Sequence, residues 1–134
     1  MSEPLPAPTV KWLLFSFRGR IGRKSFALGA LMMVLIQFAI VAWLAGLGEG
    51  TGGDIQLSGG EAIMAFFVMI GFWIAMAWAL LAMAAKRLHD LDLPGILAVL
   101  LIIPAISLLT FLALAFMPGS RNTNRHGPPP FARD

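Results

Sequence analysis

Residues 62–85 read AIMAFFVMIGFWIAMAWALLAMAA, a run of 24 residues without a charged side chain. In an α-helix, about 20 apolar residues cross the ~30 Å hydrocarbon core of a bilayer. Because the core offers no water to exposed backbone groups, a span of this kind has to be helical. This run therefore predicts a membrane-spanning helix and sets the fold class.

Two further apolar runs flank it, at residues 26–47 and 96–117. Pro104 interrupts the second of these, and proline removes a backbone hydrogen bond and clashes with the preceding turn. The sequence predicts an all-α integral membrane protein with three hydrophobic helices, the third kinked or broken at Pro104. A kinked full span is the commoner arrangement, and a re-entrant hairpin is the alternative.

The remaining segments are short. Residues 1–9 are rich in proline and predict a disordered tail, and residues 118–134 form a polar C-terminal tail. In residues 10–17, apolar side chains recur at helical spacing, which predicts a short amphipathic helix at the membrane interface. Residues 10–131 are expected to form a single transmembrane domain.

The composition supports lipid as the solvent. The chain has 134 residues, of which 58% are hydrophobic and 13% charged, and its mean hydropathy is +0.81. Soluble domains average about 25% charged residues, and a chain this short keeps much of its surface exposed. The absence of cysteine excludes disulfides and zinc–thiolate sites, and no metal or cofactor is expected.

The charge distribution predicts an orientation. Five cations precede the first apolar run: Lys11, Arg18, Arg20, Arg23 and Lys24. The glycine-rich loop that follows this run carries acids and no Lys or Arg, so the positive-inside rule predicts a cytoplasmic N-terminus. Attraction to an anionic leaflet, about 1 kcal/mol per cation, equals or exceeds the opposing helix-dipole term. A basic protein commonly binds nucleic acid or anionic lipid. Because the basic residues lie beside apolar runs here, anionic phospholipid is the expected partner and nucleic acid is not.

The basic segment before the first run has two interpretations. Its residues 22–25, Gly-Arg-Lys-Ser, look like the end of a phosphate-binding loop, but Arg23 separates Gly22 from Lys24 and no strand precedes them. The segment is interpreted as a topology anchor, or alternatively as a lipid-headgroup site. The candidate residues are Arg18, Gly19, Arg20, Gly22, Arg23 and Lys24.

A second polar cluster, Lys86-Arg87-Leu88-His89-Asp90, closes the second run. His89 beside a carboxylate suggests acid–base chemistry, but adjacent residues on a helix point about 100° apart. Arg87 and Asp90 lie three residues apart on one face and are expected to pair. A structural role is therefore predicted, and an enzymatic role is not.

Small residues mark candidate helix-packing faces. Gly71, Ala75 and Ala79 recur every four residues, and Ala42 and Gly46 form a similar notch on the first run. Such spacing lets a neighbouring helix approach closely in lipid.

Four landmarks together resemble the DUF805 family of small bacterial inner-membrane proteins. They are Phe17-x-Gly19-Arg20-Ile21-x-Arg23-Lys24-x-Phe26, Lys86-Arg87-Leu88-His89-Asp90, Pro104, and Asn124-Arg125-x-Gly127-Pro128-x-Pro130. They stand in the family's order and cover roughly residues 12–131. The resemblance implies an inner-membrane architecture and no particular activity.

Topology and resemblance combine into a functional hypothesis. A cytoplasmic cluster is expected to contain Arg20, Arg23, Arg87 and Asp90, with Asn124 joining it only in the hairpin arrangement. The leading interpretation is a non-enzymatic packing or accessory subunit that associates with itself or with a larger membrane complex. A small oligomeric transporter or channel, or an anionic-lipid-binding protein, is the alternative. A third interpretation is an enzyme that acts on phospholipid headgroups through His89 and Asp90.

Overall fold

A computed structural model describes residues 9–50 and 57–130 of the chain. Within these ranges every regular element is helical, apart from a single bridge between Asn124 and Gly127. Most of the predicted N-terminal tail, the middle of the glycine-rich loop and the last four residues lie outside the described residues.

The helices follow the apolar runs. The order is α1 (Val10–Phe15), α2 (Arg23–Gly50), α3 (Gly59–Asp90), a 3₁₀ helix η1 (Gly95–Ile102) and α4 (Pro104–Phe116). Both α2 and α3 are long and apolar enough to cross a membrane. The all-helical prediction is confirmed for the described residues, and the first two apolar runs form the two long helices.

Local hydrogen bonds set the helix starts. The N–H of Ser58 donates to Glu61 Oε2 at 2.9 Å, and the N–H of Glu61 donates to Ser58 Oγ at 3.4 Å. This reciprocal capping box starts α3 three residues before the predicted position. Thr9 caps α1 in a similar way, because its Oγ1 accepts from the N–H of Trp12 at 3.1 Å.

The end of α3 is a Schellman motif. The N–H of Leu93 donates to the Leu88 carbonyl at 2.9 Å, and the N–H of Asp92 donates to the His89 carbonyl at 3.1 Å. Asp92 occupies the left-handed position with φ of 59°, where glycine is usual. The polar cluster therefore lies within the last turn of α3.

The third apolar run breaks at the predicted proline. Ile103 is extended, with φ −85° and ψ 109°, and Pro104 begins α4. Proline disfavours the helical conformation for the residue before it, and the first turn of a helix accommodates its missing N–H. The break at Pro104 is confirmed.

The course of the third run differs from the kinked full span expected above. At its start, a Cβ on Gly95 would lie 2.7 Å from His89 Nε2 and 3.3 Å from the Cβ of Ala85. At its end, Arg87 donates through Nε to the Leu114 carbonyl at 2.8 Å and through Nη2 to the Met117 carbonyl. The run therefore begins and ends beside the last two turns of α3.

The lengths of the two arms agree with this hairpin. The 8 residues of η1 extend about 16 Å at ~2.0 Å per residue, and the 13 residues of α4 extend about 20 Å at ~1.5 Å per residue. The outward and return arms are of similar length. The bonds of Arg87 to the Leu114 and Met117 carbonyls hold the end of α4 beside α3.

The described residues form two compact units, residues 9–27 with 78–130 and residues 28–50 with 57–77. In the second unit, large apolar side chains along both helices are exposed, among them Phe38 and Phe67. The candidate packing residues Ala42, Gly46, Gly71 and Ala75 are also exposed, and Ala79, in the first unit, is buried.

Candidate functional site

Four charged side chains are buried in the first unit, around the end of α3. The exposed fractions are 5% for Arg20, 0% for Lys86, 0% for Arg87 and 3% for Asp90. A charge removed from water is costly unless it is paired and hydrogen-bonded. The partners of these four groups therefore define the site, which we call the charge cluster.

Asp90 is the anion at the centre of the charge cluster. Arg20 donates to Oδ1 from Nη2 at 2.9 Å and from Nε at 3.2 Å. Arg87 donates from Nη1 to Oδ2 of the same carboxylate. The predicted pairing of Arg87 with Asp90 is confirmed, and each carboxylate oxygen holds one guanidinium group.

Arg20 also binds the C-terminal tail. Its Nη1 donates to the carbonyls of Asn122 and Gly127, both at 3.0 Å, and its Nη2 donates to the carbonyl of Ser120 at 2.6 Å. These contacts and the bonds to Asp90 engage all three guanidinium nitrogens. Arg20 is therefore committed to protein partners and does not face a phosphate.

Lys86 binds the end of α1. Its Nζ donates to the carbonyls of Trp12 at 2.7 Å, Leu13 at 2.5 Å and Ser16 at 2.6 Å. It also lies 4.6 Å from the centroid of the Trp12 ring, a cation–π distance. The carbonyls at the end of a helix carry partial negative charge, so they compensate a buried cation.

The cluster contains three cations and one carboxylate. Lys86 caps the carbonyl end of α1, and Arg87 caps that of α4 through Leu114 and Met117. Charged hydrogen-bond donors at helix C-termini complement the helix dipole. The excess positive charge is therefore balanced by peptide dipoles of two other helices.

Two glycines allow close backbone approach, Gly119 to the charge cluster and Gly19 to Trp12 beside it. A Cβ on Gly119 would collide with Oδ2 of Asp90 and would lie 3.0 Å from Nη1 of Arg87. Gly19 has φ of +99°, and a Cβ there would lie 2.6 Å from Cζ2 of Trp12. The sequence motif pointed to Gly19. Gly119 was missed, because it lies in the tail outside any recognisable pattern.

His89 is held beside the charge cluster by separate contacts. Its Nδ1 lies 3.2 Å from the Gly19 carbonyl, so Nδ1 carries the proton and donates. Its ring stacks on His126 at 4.0 Å between centroids and 10° between planes. Since His89 bonds to Gly19 and Asp90 bonds to the arginines, the two do not form a catalytic dyad.

The tail closes over the end of α3. Asn124 Nδ2 donates to the His89 carbonyl at 2.8 Å and to Ser120 Oγ at 3.1 Å. The N–H of Ser120 donates to the carbonyl of Asp90 at 2.8 Å. Asn124 therefore lies beside the charge cluster, at the end of α3. Ser120 and His126 were not singled out in the sequence, since only the fold brings them to α3.

The remaining candidates of the basic segment lie outside the cluster. Arg18, Arg23 and Lys24 are exposed, and Gly22 is half-buried, with the Cγ of Pro130 3.9 Å from a Cβ built there. Of the four cations in the basic segment, Arg20 is therefore buried and structural, whereas the other three are exposed.

Known proteins resemble this chain over most of its length. The family described as "Protein of unknown function (DUF805)" matches residues 14–128. Inner membrane protein YhaH of Escherichia coli strain K12 is 31% identical over 114 residues, covering 85% of this chain and 86% of YhaH, and YhaH of strain O157:H7 gives the same values. No solved structure matches the chain. By both the family match and its relatives, the chain belongs to the DUF805 family.

Proposed function

We propose that this chain is a multi-pass protein of the bacterial inner membrane with its N-terminus in the cytoplasm. The length and apolarity of α2 and α3 support two crossings. The similar protein YhaH is described as an inner membrane protein. The cations before α2 favour the cytoplasmic side for the N-terminus.

The third apolar run is proposed to enter and leave the membrane from the cytoplasmic side. Its two arms, about 16 and 20 Å long, reach roughly half-way through a ~30 Å core. Arg87 and Asp90 bond to residues that follow α4, which supports a tail on the same side as the end of α3. The proposed topology is thus two spans and one re-entrant hairpin.

The proposed role is that of a non-enzymatic packing or accessory subunit. The observation that carries it is that the polar groups of the charge cluster are engaged by protein groups. Both oxygens of Asp90 hold arginines, and Lys86 and Arg87 hold backbone carbonyls. General acid–base catalysis requires a group within reach of the substrate proton, whereas this cluster is organised to join segments of one chain.

The outer surface of the long helices supports association. Apolar side chains along α2 and α3 are exposed, and the small residues Gly71 and Ala75 lie among them on α3. A Cβ added to Gly71 would meet nothing within 4 Å. Small residues allow close helix approach in lipid, so this face of α3 suits a second copy or a partner helix.

A matched pair of substitutions tests the association. Ala75 lies on the small-residue face, and Ala77 lies two residues, about 200°, around the same helix. Both are exposed, so Ala75→Leu and Ala77→Leu make the same chemical change on opposite faces. Native mass spectrometry of the chain purified from membranes is expected to detect a multimer or a stoichiometric complex, which Ala75→Leu weakens and Ala77→Leu preserves. A monomer without a partner, or equal effects of both variants, contradicts the proposal.

Anionic-lipid binding is a second candidate function. One observation favours it, the exposed cations that belong to the first unit: Lys11, Arg18, Arg23, Lys24, Arg121 and Arg125. Each cation near an anionic leaflet contributes about 1 kcal/mol of attraction. Titration of the detergent-solubilised chain with mixed micelles that contain or lack anionic lipid measures this contribution. Tighter binding to the anionic micelles, weakened by high salt, is expected, and equal binding to both micelles contradicts it.

A further inference from the structure

An open apolar groove of about 460 Å³ lies between the last turns of α3 and η1. Ligand-binding clefts commonly have volumes of roughly 300–1,000 Å³. The side chains that line it from α3 are four residues apart and share one face. The groove residues used below are Phe17, Leu81, His89, Gly95, Ile96 and Val99.

His89 supplies the polar atom of this groove. Its Nδ1 donates to the Gly19 carbonyl, which fixes the ring and leaves Nε2 as an acceptor when the ring is neutral. A Cβ on Gly95 would lie 2.7 Å from Nε2, so glycine at this position keeps the atom uncovered. Nε2 has no hydrogen-bond partner among the described residues, and it therefore suits a ligand that carries a hydrogen-bond donor.

A cation lies next to the groove in the sequence. Arg18 stands between Phe17, which lines the groove, and Gly19, which holds His89. Its side chain is exposed and forms no ion pair with the residues that the structure describes. An apolar groove, an acceptor nitrogen and a neighbouring cation together fit an amphiphile with an apolar chain, a hydroxyl and a negative charge.

We propose that this groove binds an anionic phospholipid with a glycerol headgroup. One acyl chain lies along Leu81, Ile96 and Val99, a headgroup hydroxyl donates to Nε2 of His89, and the phosphate pairs with Arg18. The proposal rests on the membrane placement proposed above and is independent of association through α3. It also differs from a general attraction to the leaflet, because it names one groove and one hydrogen bond.

The test counts lipids on the purified full-length chain by native mass spectrometry. The chain is titrated with dioleoyl phosphatidylglycerol and, separately, with dioleoyl phosphatidylcholine, which has the same acyl chains. The first phosphatidylglycerol is expected to bind about fivefold more tightly, since one cation contributes ~1 kcal/mol. Equal affinity for the two lipids overturns the proposal.

Matched variants locate the bound lipid. Val99→Trp fills the groove, whereas Leu108→Trp changes an exposed position of α4 that is not among the groove residues. Val99→Trp is expected to lower the affinity for the first lipid at least about fivefold, and Leu108→Trp is expected to leave it unchanged. Similar affinities for both variants place the lipid elsewhere and overturn the proposal.

Polar variants test the headgroup contacts. His89→Asn keeps a donor near the Gly19 carbonyl and removes Nε2, so it is expected to lose phosphatidylglycerol affinity while its melting temperature stays close to the wild-type value. Arg18→Gln is expected to lower the preference for phosphatidylglycerol, which has a net negative charge, and Lys24→Gln, which also removes an exposed cation, is expected to preserve it. Unchanged lipid preference in both His89→Asn and Arg18→Gln overturns the assignment.

Discussion

At Gly19 the backbone has φ of +99°, and a Cβ there would lie 2.6 Å from Cζ2 of Trp12. A side chain in this position is strained and also displaces the ring that Lys86 contacts. Gly22, in the same basic segment, has ordinary space around it. Gly19→Ala is therefore expected to destabilise the protein by about 1–3 kcal/mol, and Gly22→Ala by less than about 1 kcal/mol.

Circular dichroism melting in one detergent compares these two variants directly. Equal melting temperatures would contradict the role assigned to Gly19. The two glycines belong to the same motif, and the expected difference in stability between their variants comes from the positive φ of Gly19 and its contact with Trp12.

The two acids near the end of α3 provide a second matched pair. Asp90 is buried between Arg20 and Arg87, whereas Asp92 is 49% exposed and pairs with Arg125 at 3.2 Å. Asp90→Asn leaves two buried guanidinium groups without an anion, and removal of one partner from a buried pair costs about 3–5 kcal/mol. Asp92→Asn breaks an exposed pair, for which less than ~1 kcal/mol is expected.

Asparagine also tolerates the left-handed conformation of residue 92, so Asp92→Asn is a clean control. Unfolding in a denaturing detergent, followed by the loss of helical circular dichroism, measures both free energies. A similar loss in the two variants would mean that the charge cluster is solvated.

Only part of the charge cluster could be predicted at the level of residues. Arg87 and Asp90 lie three apart on a helix, and this local rule correctly predicted their pairing. Arg20 and Asp90 are 70 residues apart, and Gly119 contributes only the absence of a side chain. Neither relation produces a periodic or local pattern in the sequence, and Arg20 was expected near Asp90 only from the family motifs combined with the predicted topology.

Among the elements, α1 depends on a lysine from another helix. Lys86 Nζ holds three carbonyls at the end of α1, and charged hydrogen bonds contribute about 1.5–3 kcal/mol each. Lys86→Met keeps a similar length of side chain and removes these donors. We expect α1 to detach, so that trypsin cleaves at Arg18 at least about tenfold faster.

Lys24→Met is the matched control, because Lys24 is exposed. Cleavage rates come from mass spectrometry of the released N-terminal peptide. An unchanged rate in Lys86→Met would indicate that α1 is held by apolar contacts alone.

The elements were predictable where the information is local. Long apolar runs specify α2 and α3, and Pro104 specifies the break before α4. Local sequence did not predict that the third apolar run ends beside α3, where it also begins. This course of the run depends on bonds from Arg87 to carbonyls 27 and 30 residues further along the chain, and base rates for apolar runs favour a full span.

For the whole molecule, the hairpin makes a prediction about sidedness. A cytoplasm-active reporter is expected to give signal at both the N-terminus and the C-terminus, because the tail bonds to the end of α3. A periplasm-active reporter is expected to give signal only when it is inserted within residues 51–56. Periplasmic signal from a C-terminal fusion contradicts the re-entrant topology.

The tail contacts also have a consequence for biosynthesis. The carbonyls of Ser120, Asn122 and Gly127 that hold Arg20 are translated about a hundred residues after it. Until they leave the ribosome, the guanidinium groups of a nascent chain lack carbonyl partners: those of the tail for Arg20 and those of Leu114 and Met117 for Arg87. A prematurely terminated chain is therefore expected to keep buried cations without their acceptors, and to be less stable than the full-length chain.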